Sequence, residues 1–268
     1  MNKQFSFNKI YVIESLSSSE PLTGVNLFND LLKWKSQEIK KLQTQLIQVN
    51  SRNEFFDCIE TIKNEVVNAS RLPLLHFEIH GSTKKDGLVL NSGQLITWLE
   101  LANRFREINI LINHNLVVSF ATCYGAHLYR EIRPTDKAPF WGFVAPWEEV
   151  GVGDVEVSFN SFFDTLLSTL NFNEAVNKLN ETNNLPYRYH FYNAEEVFEK
   201  IYDTYETVNY SPDNYNKRIL GLMSKALSNI NVRQTMTIPE VRRFFEDKLI
   251  NAKEEYRKQY RKIFLMEE

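Results

Sequence analysis

Residues 116–121 read Leu-Val-Val-Ser-Phe-Ala, and residues 140–145 read Phe-Trp-Gly-Phe-Val-Ala. Each run is short and almost continuously apolar. A strand covered by helices on both faces needs that pattern, whereas a strand with one wet face would alternate. Three further strands are expected upstream, at Ile10–Ile13, at 42–49 (Leu42, Leu46, Ile47 and Val49 are apolar), and at Pro73–His80. Helical stretches separate them. One spans about 26–40, with Leu27, Leu31, Leu32 and Trp34 near one face. Ser51 stands three residues before Glu54, a capping box, and opens a helix with the stripe Phe55, Ile59, Ile62 and Val66. Asn91 or Ser92 is expected to cap the next helix, to about Ile108, and another runs from about Val155 to Leu170. Strands alternating with helices predict an α/β fold: a mostly parallel sheet flanked by helices in three layers, α/β/α.

From about Leu185 the pattern is helical only. Ala194–Glu206 forms one helix, and Ser211-Pro212 starts another. Thr237-Ile238-Pro239-Glu240 joins a capping box to an early proline and opens a long helix to about Phe264. Its stripe is Val241, Phe244, Phe245, Leu249, Tyr256, Tyr260 and Phe264. The expected organisation is a sheet domain over 1–183 and a helical extension over 184–268 that packs on it. The tyrosines of the tail fit the same packing role.

The composition sets bounds on function. Among 268 residues, 31 are basic and 34 acidic, a balance that favours neither a nucleic-acid nor an anionic membrane partner. The N-terminus lacks the apolar core of a signal peptide, and no window approaches a membrane span. Two cysteines, Cys58 and Cys123, make no disulfide framework and read as thiols of a reducing compartment. A cytoplasmic location is therefore expected.

The chemistry gathers at two strand ends. In an open parallel sheet, ligands bind beyond the carboxyl ends of the strands. The third strand ends Ile79-His80-Gly81, and the fourth ends Ala121-Thr122-Cys123-Tyr124-Gly125. Were these strands neighbours, His80 and Cys123 would emerge side by side. An adjacent base or a lowered pKa turns a thiol into a nucleophile, and a helix starting at Cys123 would favour the thiolate further. Gly81 lets its backbone N–H approach a substrate carbonyl, and with the N–H of Cys123 it could form an oxyanion hole. Gly125 would let the chain turn behind the nucleophile. Set against this, a His-Gly pair is often a simple turn, and a cysteine in an apolar run is often core.

These residues resemble the caspase-like (clan CD) cysteine peptidases, including the CHAT-type bacterial peptidases. The likeness rests on an apolar strand ending His80-Gly81, a helix, and an apolar strand ending Cys123-Tyr124-Gly125, with 123 − 80 = 43 residues between the reactive pair. Phe140–Pro146 resembles the strand after the nucleophile, and Ser161–Leu167 and Phe172–Val176 resemble the region that follows, so the likeness spans about 8–180. It implies peptide-bond hydrolysis without cofactor, with His80 as base, Cys123 as nucleophile, and the amides of Gly81 and Cys123 as oxyanion donors. It also implies a protein or peptide substrate and a regulated effector of antiviral defence, released by an upstream sensor. One departure stands out. Many members carry an acidic residue two positions before the cysteine, where this chain has Ala121. Glu148, Glu149 and Asp154 are the remaining candidates for substrate-binding charge.

Other constellations are weaker. His76, His80, His114, His127 and Cys123 match no standard zinc spacing, and no metal is expected. Gly151-Val152-Gly153 lacks the rest of a phosphate loop. Cys58 reads as core. The rival readings are a catalytically silent caspase-like interaction module and an unrelated flavodoxin-like binding protein.

Overall fold

The computed structural model describes residues 5–181 and 189–267. The chain forms two compact units. One holds the chain up to 132 together with 138–194, and the other holds 133–137 and the chain from 195 on.

Eight strands build the first unit: β1 (Lys9–Ser15), β2 (Gln43–Gln48), β3 (Pro73–Gly81), β4 (Gly87–Val89), β5 (Leu95–Thr97), β6 (Val117–Phe120), β7 (Gly142–Pro146) and β8 (Tyr189–Asn193). Its helices are α1 (Thr23–Leu27), which continues through a π-helical turn into α2 (Lys33–Glu38), then α3 (Arg52–Ala69), α4 (Trp98–Leu111), α5 (Val152–Thr169) and α6 (Phe172–Glu181). The sheet order is β2-β1-β3-β6-β7-β8, parallel throughout except for β8, with the β4–β5 hairpin carried on the end of β3.

The architecture is the mostly parallel, three-layer α/β/α sandwich expected from the apolar strands. On one face, Ile10, Val12, Leu74, Val117 and Val144 pack with Leu27, Phe159, Phe163 and Ala175 from α1, α5 and α6. On the other, Phe77 and Phe120 stack at 5.3 Å and meet Phe55 of α3 and Phe105 of α4. Ser51 caps α3 by accepting from the Glu54 amide at 3.3 Å.

Three sequence expectations are corrected. Asn91 and Ser92 do not cap a helix. They sit in the β4–β5 turn beside Gly93 (φ 78°), and Thr97 with Glu100 supplies the capping box of α4. Strands of three residues are too short to show a period in sequence. The segment after Leu185 is not purely helical, because Tyr189–Asn193 pairs with β7 as an antiparallel edge. Its aromatic side chains suit a half-buried strand. Finally, the last long helix is two, α10 (Ile238–Asn251) and α11 (Lys253–Leu265), divided at Ala252 (φ −81°, ψ −9°).

The second unit is helical: α7 (Ala194–Asn209), α8 (Pro212–Leu227), α9 (Ile230–Thr235), α10 and α11. Ile219 and Met223 of α8 bury against Val241 and Leu249 of α10, and Phe198 meets Phe264 at 5.5 Å. Arg257 of α11 pairs with Glu199 and Asp203 of α7. Phe244, expected in the apolar stripe, is 47 % exposed.

Candidate active site

Register brings the two reactive residues together. Every β3–β6 pair, from Leu74↔Val117 to Phe77↔Phe120, is offset by 43 residues. His80 and Cys123 lie three residues beyond the last pair on each strand, 80 − 77 and 123 − 120, so they leave the sheet at one level. On β3, His80 shares a face with His76 and Glu78 by strand alternation. His80 and Cys123 both line one cleft of about 480 Å³, open mouth included, at the carboxyl edge of the sheet.

Gly81 fixes how closely the strand ends approach. A Cβ there would lie 1.8 Å from the carbonyl oxygen of Cys123, so only glycine fits. The turn after Cys123 is tight, and Tyr124 bears the left-handed conformation (φ 60°) expected of Gly125. Gly125 sits in a tight space instead, where a Cβ would press on Phe120 Cβ at 3.0 Å and Ala145 Cβ at 3.2 Å. Tyr124 is held in place. Its phenol donates to Glu149 at 2.7 Å, a bond that pushes the phenol pKa up to about 12, and Lys85 sits over its ring at 4.6 Å.

Only a seven-residue 3-10 helix, Gly125–Glu131, follows the cysteine, which leaves little helix dipole to favour a thiolate. The sulfur instead contacts the backbone of the segment after β7. The amide of Val150 donates to Cys123 Sγ at 3.4 Å, and the Val150 carbonyl accepts from the thiol at 3.8 Å. The segment after β7 thus lies against Cys123, and the Tyr124 amide donates to the Glu148 carbonyl at 3.2 Å.

His80 carries a partner that the sequence did not reveal. Its Nε2 lies 3.0 Å from Glu20 Oε1, both side chains being about half exposed. Glu20 sits in the loop after β1, and its other oxygen accepts the Ser17 amide at 3.0 Å. That bond, with the charge and hydrogen bond of His80, holds the Glu20 carboxyl below its usual range against a small desolvation penalty. Its position beyond the end of a strand adjacent to β3 was the available signal.

The loop bearing Glu20 is anchored from below. Buried Glu14 at the end of β1 accepts the amides of Gly24 (2.9 Å) and Val25 (3.1 Å) at the start of α1, and Gln48 donates to it at 3.0 Å. Beside it, buried Glu78 accepts from Thr23 at 2.8 Å and meets His76 at 2.9 Å, while His76 Nδ1 meets Ser119 at 2.9 Å. This network locks α1 onto three strands and sets the near wall of the cleft.

The remaining expected residues lie elsewhere. Glu148 and Glu149 are exposed, Asp154 opens α5 beside Gly151, and none of the three lines the cleft. Of the histidines weighed for zinc, His76 is consumed by Glu78 and Ser119, and His114 meets Asn109 at 3.3 Å. His127 lines a different pocket, with Lys85 and Arg130. No group of three or more metal-ligating side chains occurs among the described residues. Cys58 is buried in α3, and burial pushes its thiol up to about 12. No helix among the described residues is long and apolar enough to cross a membrane. Neither a family model nor a curated protein matches the chain.

Proposed function

We propose that the chain is a caspase-like cysteine endopeptidase, with Cys123 as nucleophile and His80 as general base. One observation carries the reading: adjacent parallel strands bring both residues to one cleft, and a carboxylate meets Nε2 of the histidine. Glu20 accepting the Nε2 proton leaves the Nδ1 lone pair as the base. His80 Nδ1 takes the thiol proton, and the sulfur attacks the scissile carbonyl carbon. The carbonyl electrons move to oxygen, where the amides of Gly81 and Cys123 receive the charge. The C–N bond breaks, and the amine leaves with the proton from Nδ1. Water, deprotonated by His80, then attacks the thioester, and Sγ departs and is reprotonated. No cofactor takes part.

The Val150 peptide lying against Cys123 fits an effector held latent until an upstream protein engages it, in line with a role in antiviral defence. A cytoplasmic location belongs to the same proposal. A silent interaction module is the second reading, and it draws on the hydrogen bond of His80 going to Glu20 and not to Cys123. The test is cleavage of an unbiased peptide library, read by mass spectrometry. Hydrolysis by the wild type and none by Cys123→Ala or His80→Ala supports the peptidase. Hydrolysis that survives Cys123→Ala refutes it.

A further inference from the structure

We infer that the cleft beside Cys123 takes an uncharged, apolar side chain of about leucine or methionine size from the residue before the scissile bond. The inference rests on the peptidase reading and specifies its substrate.

The walls are the argument. Twelve residues line the cleft, and seven of them are apolar, Leu16, Pro21, Ala121, Val150 and Val155 among them. Cys123 and His80 lie among the other five. Seating a leucine-sized side chain there removes apolar surface from water. Glu78 also lines the cleft, and it is already engaged. Oε2 accepts from Thr23, Oε1 meets His76, and the residue is 2 % exposed. It therefore presents little surface to an incoming cation. An acidic side chain would be desolvated against apolar walls in a lining that holds Glu78 and Glu20, and no Lys or Arg lines the cleft to receive it. Ala121 adds no charge to that lining.

The test uses four peptidyl acyloxymethyl ketones that differ only in the terminal residue: Leu, Met, Asp or Lys. Labelling of Cys123 in the full chain is followed by mass spectrometry, with iodoacetamide as a sequence-blind control. The Leu and Met probes should label about tenfold faster or more than Asp and Lys, the scale on which a shaped apolar pocket discriminates. Ala121→Asp should reverse the order of Leu and Lys while leaving iodoacetamide labelling in place, which separates a changed pocket from a misfolded one. Faster labelling by Asp or Lys, or equal labelling by all four, overturns the inference and leaves the peptidase standing. Iodoacetamide labelling with no reaction from any ketone overturns the inference, while the peptidase reading is judged separately by the library cleavage and its Cys123→Ala control.

Discussion

Glu20 shows what a single side chain adds at the sheet edge. A histidine with one nitrogen committed to a carboxylate has a fixed ring and a defined basic nitrogen. Glu20→Gln keeps the shape and removes the charge that would stabilise the imidazolium. Peptide hydrolysis should fall about tenfold in kcat with little change in KM, a modest loss because the pair is half exposed. Steady-state kinetics check this, and an unchanged kcat would make the contact incidental. The sequence could not supply Glu20. An acidic residue before proline in a loop has no period and no motif, and its role comes only from where β1 ends. The juxtaposition of His80 and Cys123, by contrast, was legible, because both stand at the ends of apolar runs that pair as neighbouring strands.

Among elements, α3 and α4 are tied by an ion pair. Arg52, at the start of α3, makes a bidentate contact with Glu100, whose carboxylate also completes the capping box with Thr97. The Arg52 bonds, reinforced by Thr97, hold Glu100 down to about 2. A carboxyl lowered in the folded state stabilises fully above its unfolded pKa of about 4.5, and that contribution disappears as pH falls towards 2. Glu100→Gln should therefore melt below the wild type at pH 7, and the gap should narrow steeply in melts taken near pH 2.5. A gap independent of pH would show that the ionised carboxylate contributes nothing.

The same region shows where sequence reading lost the fold. Leu88, Val89, Leu95 and Ile96 belong to a hairpin of two three-residue strands, too brief for alternation to show. The helix start was consequently placed at Asn91 and not at Thr97. Strands with both faces covered were legible, because Leu74–Ile79 and Val117–Phe120 are mostly apolar, with only His76, Glu78 and Ser119 interrupting them.

At the scale of the molecule, the sheet unit places charge inside a core otherwise built of phenylalanine and aliphatic residues. Glu14, Glu78, His76 and Ser119 lie buried on three adjacent strands and bind the start of α1. In sequence these residues merely interrupt apolar runs, and only the register reveals them as one network. Removing one partner strands a buried charge, so His76→Ala should cost about 3–5 kcal/mol in denaturant unfolding. A loss below about 1 kcal/mol would mean that Glu78 is satisfied without it.

The central claim is that His80 activates Cys123, and thiol reactivity tests it without any substrate or activator. The two cysteines supply their own control, since Cys58 is buried with its thiol pushed up to about 12. Alkylation by iodoacetamide at pH 6, followed for each cysteine by mass spectrometry, should modify Cys123 and spare Cys58. His80→Ala should slow Cys123 about tenfold or more, towards the behaviour of an ordinary thiol with a pKa near 8.5. A Cys123 that reacts at the same rate with and without His80 would contradict the dyad.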